Sequence, residues 1–173
     1  WFDVPVDHAN PGGETRRLYA REVAAPATVD DLPWMLFLQG GPGGKSPRPA
    51  SATTWIERAV RDHRVLLLDQ RGTGRSSPVT GATVQVRGSP AEQADYLAHF
   101  RADSIVRDAE HIRRTLLGAD GRWSVLGQSF GGFCTLTYLS FAPEGLAAAY
   151  LTGGLAPLEA TAEQVYGVTY EHA

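Results

Sequence analysis

Apolar residues in this chain of 173 residues alternate between short unbroken runs and longer stretches of helical spacing. Unbroken runs of four to eight apolar residues are typical of strands buried on both faces of a parallel sheet. The Asn10-Pro11-Gly12-Gly13 turn would join the first two strands in an antiparallel hairpin. The predicted strands are Phe2 to Val6, Arg17 to Val23, Pro33 to Leu38, Arg64 to Leu68, Trp123 to Leu126 and Ala147 to Leu151.

Helical spacing fills most of the intervals between these strands. The predicted helices are Thr54 to Arg61, Ser89 to Leu117 with a break near Arg101 to Asp103, the stretch after Ser129, and Glu159 to Glu171. Asp69 to Ser89 is predicted to be irregular. This alternation predicts an α/β fold with a mostly parallel sheet, right-handed crossovers and a ligand site at the carboxyl ends of the strands.

Composition narrows the function classes only slightly. Hydrophobic residues make up 43% and charged residues 20%, and the net charge of −3 gives no reason to expect a nucleic-acid or membrane partner. No apolar run approaches the roughly 20 residues that span a bilayer. The single cysteine, Cys134, excludes an internal disulfide and favours a cytoplasmic location, with the thiol buried. Because the chain starts at Trp1, secretion after loss of a leader stays open.

The most informative segment is Gly127-Gln128-Ser129-Phe130-Gly131, between a predicted strand and a predicted helix. This pattern and context are typical of a nucleophile elbow, in which a tight turn presents a serine hydroxyl at a helix start. Side chains at the two outer glycines would collide with neighbouring backbone. We therefore predict that Ser129 is a catalytic nucleophile. The alternative is a structural serine in a glycine-rich turn.

Two further loops leave the carboxyl ends of predicted strands. Gln39-Gly40-Gly41-Pro42-Gly43-Gly44 could bring backbone close to a substrate oxygen, so Gly40 and Gly43 are predicted to contact substrate. A serine hydrolase needs two N–H donors for the oxyanion, and we assign them to Gly41 and Phe130. In the second loop, Asp69 to Ser76, the side chains of Asp69 and Arg71 are predicted to brace neighbouring loops.

The first loop also suggests a different function. Gln39 to Ser46 differs from a phosphate-binding loop, Gly-x-x-x-x-Gly-Lys-Ser, only at its first position. Such a loop needs a helix that begins at its Lys-Ser pair, and Pro47 and Pro49 disfavour that helix. Nucleotide binding is therefore the weaker hypothesis.

The motifs LQGGPGG, DQRGTGRSSP and GQSFGGF, in this order, resemble the proline iminopeptidase (prolyl aminopeptidase) branch of the α/β-hydrolases. The resemblance covers nearly the whole chain. It implies removal of an N-terminal residue, typically proline, from peptides by a Ser-Asp-His triad without metal or cofactor. It also implies that Ser129 is the nucleophile, with Gly41 and Phe130 in the oxyanion hole. Gln39 departs from the pattern, since many relatives have histidine there.

A complete triad is not found in the sequence. In this fold the acid and the histidine follow the serine, but no aspartate follows Ser129 and the only later histidine is His172. A triad of Ser129 with Glu159 and His172 is disfavoured, because no strand between them returns the histidine to the site.

We therefore expect the chain to be the N-terminal portion of an α/β-hydrolase, inactive alone, with the remainder of the enzyme as its partner. Residues 1–157 would form part of the core and 158–173 the start of a helical cap, while the final strands and most of the cap are missing. An esterase or other acyl hydrolase, and a binding module without catalysis, are the alternatives.

Overall fold

The computed structural model describes residues 1–25, 32–51 and 54–153 and the isolated positions 160, 161, 163, 164, 167 and 170. Its strands are β1 (Phe2–Pro5), β2 (Thr15–Leu18), β3 (Ala20–Val23), β4 (Trp34–Leu38), β5 (Arg64–Leu68), β6 (Trp123–Gln128) and β7 (Leu146–Thr152). Its helices are α1 (Thr54–Ala59), α2 (Gly81–Gln85), α3 (Pro90–Ala98), α4 (Ala102–Leu117), α5 (Phe130–Phe141) and a 3-10 turn at Pro143–Gly145.

Five of the strands form one mixed sheet in the order β3-β5-β4-β6-β7. The pairs β4–β5, β4–β6 and β6–β7 are parallel, and only β3 runs antiparallel, against β5. The mostly parallel α/β sheet predicted from the sequence is confirmed.

The central strands are buried on both faces, as their apolar runs predict. Along β4, Leu36 and Leu38 pack in a cluster with α4 and α5, while Met35 and Phe37 pack on the other face with α1. Successive side chains of a strand point to opposite faces, so every position of a doubly covered strand must be apolar. The sheet is therefore the middle of three layers.

The predicted first hairpin is only half right. β1 pairs with β2 as expected, but the predicted strand Arg17 to Val23 is divided at Tyr19, and β3 joins the large sheet beside β5. The N–H of Tyr19 donates to Ser76 Oγ (2.8 Å), and the N–H of Asp69 donates to the Tyr19 carbonyl (3.0 Å). These bonds take Tyr19 out of the hairpin, because its backbone groups are satisfied by a distant loop.

Helix positions also depart from the prediction in one place. The break in the long helix is confirmed, since α3 ends at Ala98 and α4 begins at Ala102. The helix α2 was not predicted, because none of its residues is buried and its sequence has no apolar face. Of the predicted Glu159 to Glu171 helix, positions 163, 164, 167 and 170 are helical and the other predicted positions lie outside the described residues or form no helix. The predicted domain boundary after residue 157 also lies outside them.

A buried polar network joins α4, α5 and β6 beneath the sheet. The Glu110 carboxylate accepts hydrogen bonds from Arg113 (2.8 Å) and from the Tyr138 hydroxyl (2.5 Å), which itself accepts one from Trp123 Nε1 (3.1 Å). Burial alone would raise the pKa of Glu110, but the bonds from Arg113 and Tyr138 outweigh it and hold the pKa below its usual range.

The strand β7 lies at the edge of the described sheet. Among the described residues it pairs only with β6, and Tyr150 and Leu151 are 47% and 37% exposed. Beside it, an open groove of about 650 Å³ is lined by apolar side chains that include Met35, Trp55 and Leu126. The strand at this edge therefore presents apolar side chains to solvent. None of the described helices is long and apolar enough to cross a membrane.

Candidate active site

Ser129 lies in the turn between β6 and α5 with the geometry that the elbow pattern predicts. Its φ of 53° and ψ of −116° are unusual for a residue with a side chain, and such strain is concentrated at functional sites. The N–H of Ser129 donates to the Thr152 carbonyl at the end of β7 (2.8 Å), which holds the turn in place. The residue is exposed, and its hydroxyl caps no backbone N–H of α5. The hydroxyl is therefore accessible to a substrate.

The two outer glycines of the elbow are required by close backbone contacts. A Cβ at Gly127 would lie 2.2 Å from the Gly131 carbonyl oxygen, and a Cβ at Gly131 would lie 1.9 Å from the Leu38 carbonyl oxygen. No real Cβ approaches an oxygen so closely. The turn can only form where both positions lack a side chain, as predicted.

The glycine-rich loop after β4 passes directly over Ser129. A Cβ at Gly40 would lie 3.0 Å from Ser129 Cβ and 3.6 Å from Ser129 Oγ. The carbonyl oxygen of Gly40 lies against Gly44, 2.8 Å from where a Cβ would be. The carbonyl of Gly40 and the N–H of Gly41 belong to one peptide group, in which C=O and N–H point in opposite directions. The N–H of Gly41 therefore points away from Gly44.

The residues predicted to contribute backbone groups to the site lie in the loop after β4 and at the start of α5. A side chain at Gly40 would meet Ser129, whereas Gly43 has a φ of 95° and open space where a side chain would be. Phe130 is the first residue of α5, where backbone N–H groups lack an intrahelical partner. The N–H groups of Gly41 and Phe130 as oxyanion donors, and substrate contacts at Gly40 and Gly43, stay predictions.

Asp69 braces the loop after β4, as predicted. Its buried carboxylate accepts from the N–H of Ser46 (2.9 Å) and the N–H of Arg75 (2.8 Å), and forms an ion pair with Arg48. The three loops that leave the carboxyl ends of β4, β5 and β6 therefore meet in one place.

Arg71 anchors the loop after β5 to α4 and to the N-terminal segment. Its guanidinium is buried and binds the Asp108 carboxylate through Nε (2.7 Å) and Nη2 (2.5 Å). It also donates to the carbonyls of Val6 (2.9 Å) and His99 (2.6 Å). A bidentate pair with further hydrogen bonds is the arrangement in which a buried ion pair is satisfied. The structural role predicted for Arg71 is confirmed.

The phosphate-binding interpretation does not fit the structure. Ser46 is buried, its hydroxyl donates to the Leu68 carbonyl (2.6 Å), and its N–H is occupied by Asp69. No helix begins at the described residues between Gly44 and Ser51. The backbone N–H groups that would bind a phosphate are therefore not presented there.

One residue near the nucleophile was missed by the sequence interpretation. Gly153, after β7, has a φ of 84°, and a Cβ there would lie 3.3 Å from the nitrogen of Ser129. The only sequence signal is a pair of glycines after a predicted strand, which is also common in ordinary turns.

The base and acid of a triad are not identified among the described residues. The Nε2 of His8 lies 2.9 Å from Oδ1 of Asp108, the carboxylate that also binds Arg71. None of the described histidines is hydrogen-bonded to Ser129. Glu159 and His172 lie outside the described residues. The described part of the chain also contains no group of three or more His, Cys, Asp or Glu side chains that could hold a metal ion.

Cys134 on α5 is fully buried, and burial raises the pKa of its thiol to about 12. At pH 8 the thiol is therefore protonated and unreactive, and its burial also denies access to a reagent. We expect a maleimide to label Cys134 in guanidinium but not in the folded protein at pH 8. Rapid labelling of the folded protein, followed by mass spectrometry, would contradict the burial of this helix face.

Comparison with known proteins shows which family the sequence and the fold match. The family model for the α/β-hydrolase fold matches residues 33–169. A proline iminopeptidase of Aeromonas sobria is 55% identical over 99% of the chain, and the proline iminopeptidase aneH of Aspergillus aculeatus is 44% identical over 91%. The chain spans only 40% and 36% of the lengths of these two proteins.

The solved structures agree on the fold. The structure of Rv0554 from Mycobacterium tuberculosis has a TM-score of 0.59 at 20% identity, with 99% of this chain and 51% of that chain covered. At this identity the likeness shows the fold alone. The resemblance to proline iminopeptidases noted from the motifs is confirmed by the sequence matches.

Proposed function

The chain belongs to the α/β-hydrolase family, and on this basis we propose that it is the N-terminal part of a serine aminopeptidase that releases an N-terminal residue, typically proline, from peptides. The observation that carries the proposal is the exposed hydroxyl of Ser129, held in a strained turn under the Gly40-Gly41 backbone. The identity to two proline iminopeptidases supports the substrate class.

In the proposed reaction, Ser129 Oγ attacks the carbonyl carbon of the first residue of the peptide. The carbonyl oxygen becomes an oxyanion that accepts hydrogen bonds from the N–H groups of Gly41 and Phe130, and each such donor contributes about 3 kcal/mol. The C–N bond then breaks, the shortened peptide leaves with a proton, and the first residue remains as an ester on Ser129. Water hydrolyses this acyl-enzyme and regenerates the hydroxyl.

The proton of Ser129 needs a base, because a neutral serine hydroxyl is a weak nucleophile. We propose that the histidine and its acidic partner come from the remainder of a longer enzyme. The lengths of the two relatives support this, since the chain spans 40% and 36% of them. The outer edge of β7, which has no partner strand among the described residues, and the apolar groove beside it support it as well, because a further part of the sheet would cover both.

The proposal predicts that the full-length protein is active and that residues 1–173 alone are not. The full-length protein that carries this chain should hydrolyse a prolyl arylamide, whereas residues 1–173 alone should not, because the hydroxyl lacks its base. Release of the chromophore under identical conditions measures both. An ester substrate is the control for the alternative acyl-hydrolase function.

Two results would contradict this account. Hydrolysis of esters but not of prolyl arylamides by the full-length protein would refute the substrate class and leave the serine mechanism standing. Turnover by residues 1–173 alone would refute the need for a remainder.

A further inference from the structure

We propose that Gln70 is a positioning residue for this hydrolysis: its side-chain amide fixes the Gln39 carbonyl and thereby the direction of the Gly40-Gly41 backbone over Ser129. The inference rests on the proposed function of Ser129. It concerns a side chain that touches neither the nucleophile nor the substrate and acts through the loop after β4.

The first observation is the contact itself. Gln70 is only 2% exposed, and its Nε2 donates to the Gln39 carbonyl oxygen at 3.0 Å. Among the described residues, no other side chain donates to a backbone group between residues 39 and 44. A buried amide bonded to a single carbonyl of a glycine-rich loop restricts that loop where its own sequence does not.

The second observation is that Gln70 cannot move with the loop. Its own carbonyl accepts from both the N–H (3.0 Å) and the Oγ1 (2.8 Å) of Thr73. The residues on either side, Asp69 and Arg71, are held by the buried contacts described above. The amide of Gln70 is therefore a fixed reference point for the Gln39 carbonyl.

The third observation links this carbonyl to the oxyanion donors. The peptide between Gln39 and Gly40 is planar, so fixing its carbonyl oxygen also fixes the direction of the Gly40 N–H. On the opposite side, a Cβ at Gly131 would lie 3.0 Å from the Gln39 oxygen, so the same carbonyl is packed against the first turn of α5. One residue on, a Cβ at Gly40 would lie 3.0 Å from Ser129 Cβ, so this backbone passes close to the nucleophile. A rotation of this peptide would therefore displace the Gly41 N–H relative to Ser129 Oγ.

The test compares variants of the full-length enzyme. Gln70→Leu removes the donor at similar volume, and Gln70→Glu places a carboxylate against the carbonyl. Tyr138→Phe is the matched control, because it removes a buried hydrogen bond in the network of Glu110, two turns along α5 from Gly131. Each variant is assayed well below its unfolding midpoint.

Loss of positioning should lower kcat by about 10- to 100-fold with little change in KM, since misplaced oxyanion donors weaken the transition state more than the bound substrate. Affinity for a prolyl boronic acid, which mimics the tetrahedral state, should fall in parallel, while inhibition by proline should not change. Gln70→Glu should lose at least as much as Gln70→Leu. Tyr138→Phe should lower the unfolding midpoint and leave kcat unchanged.

Failure of the positioning role of Gln70 can be distinguished from failure of the proposed function. If the wild type hydrolyses an ester but no prolyl arylamide, the substrate class fails and the same comparison is made with the ester. Independently of turnover, ¹⁵N-glycine labelling should show shifted amide resonances for Gly40 and Gly41 in Gln70→Leu and not in Tyr138→Phe. Unchanged resonances, or an unchanged kcat in Gln70→Leu, would overturn the positioning role.

Discussion

Replacement of Ser129 by alanine in the full-length enzyme should reduce kcat toward a prolyl arylamide by about 10⁴- to 10⁶-fold. The reason is that, under the proposed mechanism, no acyl-enzyme can form without the hydroxyl. The fold should be unaffected, because the hydroxyl caps no backbone N–H group of α5. The unfolding midpoint of the variant should therefore match that of the wild type.

Ser140→Ala is the control for this prediction. Ser140 lies on the same helix, α5, is exposed, and donates only to the Leu136 carbonyl one turn earlier (3.1 Å). Its loss should leave kcat within twofold of the wild type, as expected for a surface position. Substantial turnover by Ser129→Ala, with substrate of verified purity, would refute the nucleophile.

Replacement of Gly131 by alanine should destabilise the protein more than any other substitution proposed above. The new Cβ would lie 1.9 Å from the Leu38 carbonyl oxygen and 3.0 Å from that of Gln39. Backbone, not a flexible side chain, occupies this space, so α5 would have to move away from the end of β4. We expect the free energy of unfolding to fall by at least about 3 kcal/mol, and activity to be lost with it.

Gly81→Ala provides the comparison. Gly81 is in the first turn of α2, as Gly131 is in that of α5, but nothing lies within 4 Å of the position of its Cβ. Alanine there should stabilise the protein slightly, by up to about 1 kcal/mol, because glycine is the weaker helix former. Chemical denaturation of both variants measures the difference. Equal stabilities would show that the contact between α5 and β4 is looser than described.

The central strands and the elbow could be predicted from the sequence because their causes are local. The run of apolar residues in β4 reflects burial on both faces, and the spacing of Gly127, Ser129 and Gly131 reflects one tight turn. The course of the chain at Tyr19 could not be predicted, because its hydrogen-bond partners, Asp69 and Ser76, lie 50 and 57 residues away. The helix α2 was missed since it contributes no side chain to the core.

In the candidate site, too, some residues could be predicted from the sequence and others could not. The motifs identified Ser129 and the bracing roles of Asp69 and Arg71, whose charges make them conspicuous in a sequence. Gln70, between them, gave no signal, because a glutamine in a loop is ordinarily exposed. Its burial and its bond to the Gln39 carbonyl follow from how two strands place their loops together.

The most direct test of the central claim is covalent labelling of the full-length enzyme with a fluorophosphonate, followed by peptide mapping. A fluorophosphonate reacts with a serine whose hydroxyl is activated and aligned with oxyanion donors. The account predicts one adduct, on the peptide that contains Ser129, with loss of prolyl-arylamide turnover in proportion to labelling. An active enzyme whose adduct lies on another residue, or that keeps its turnover when Ser129 is fully labelled, would contradict it.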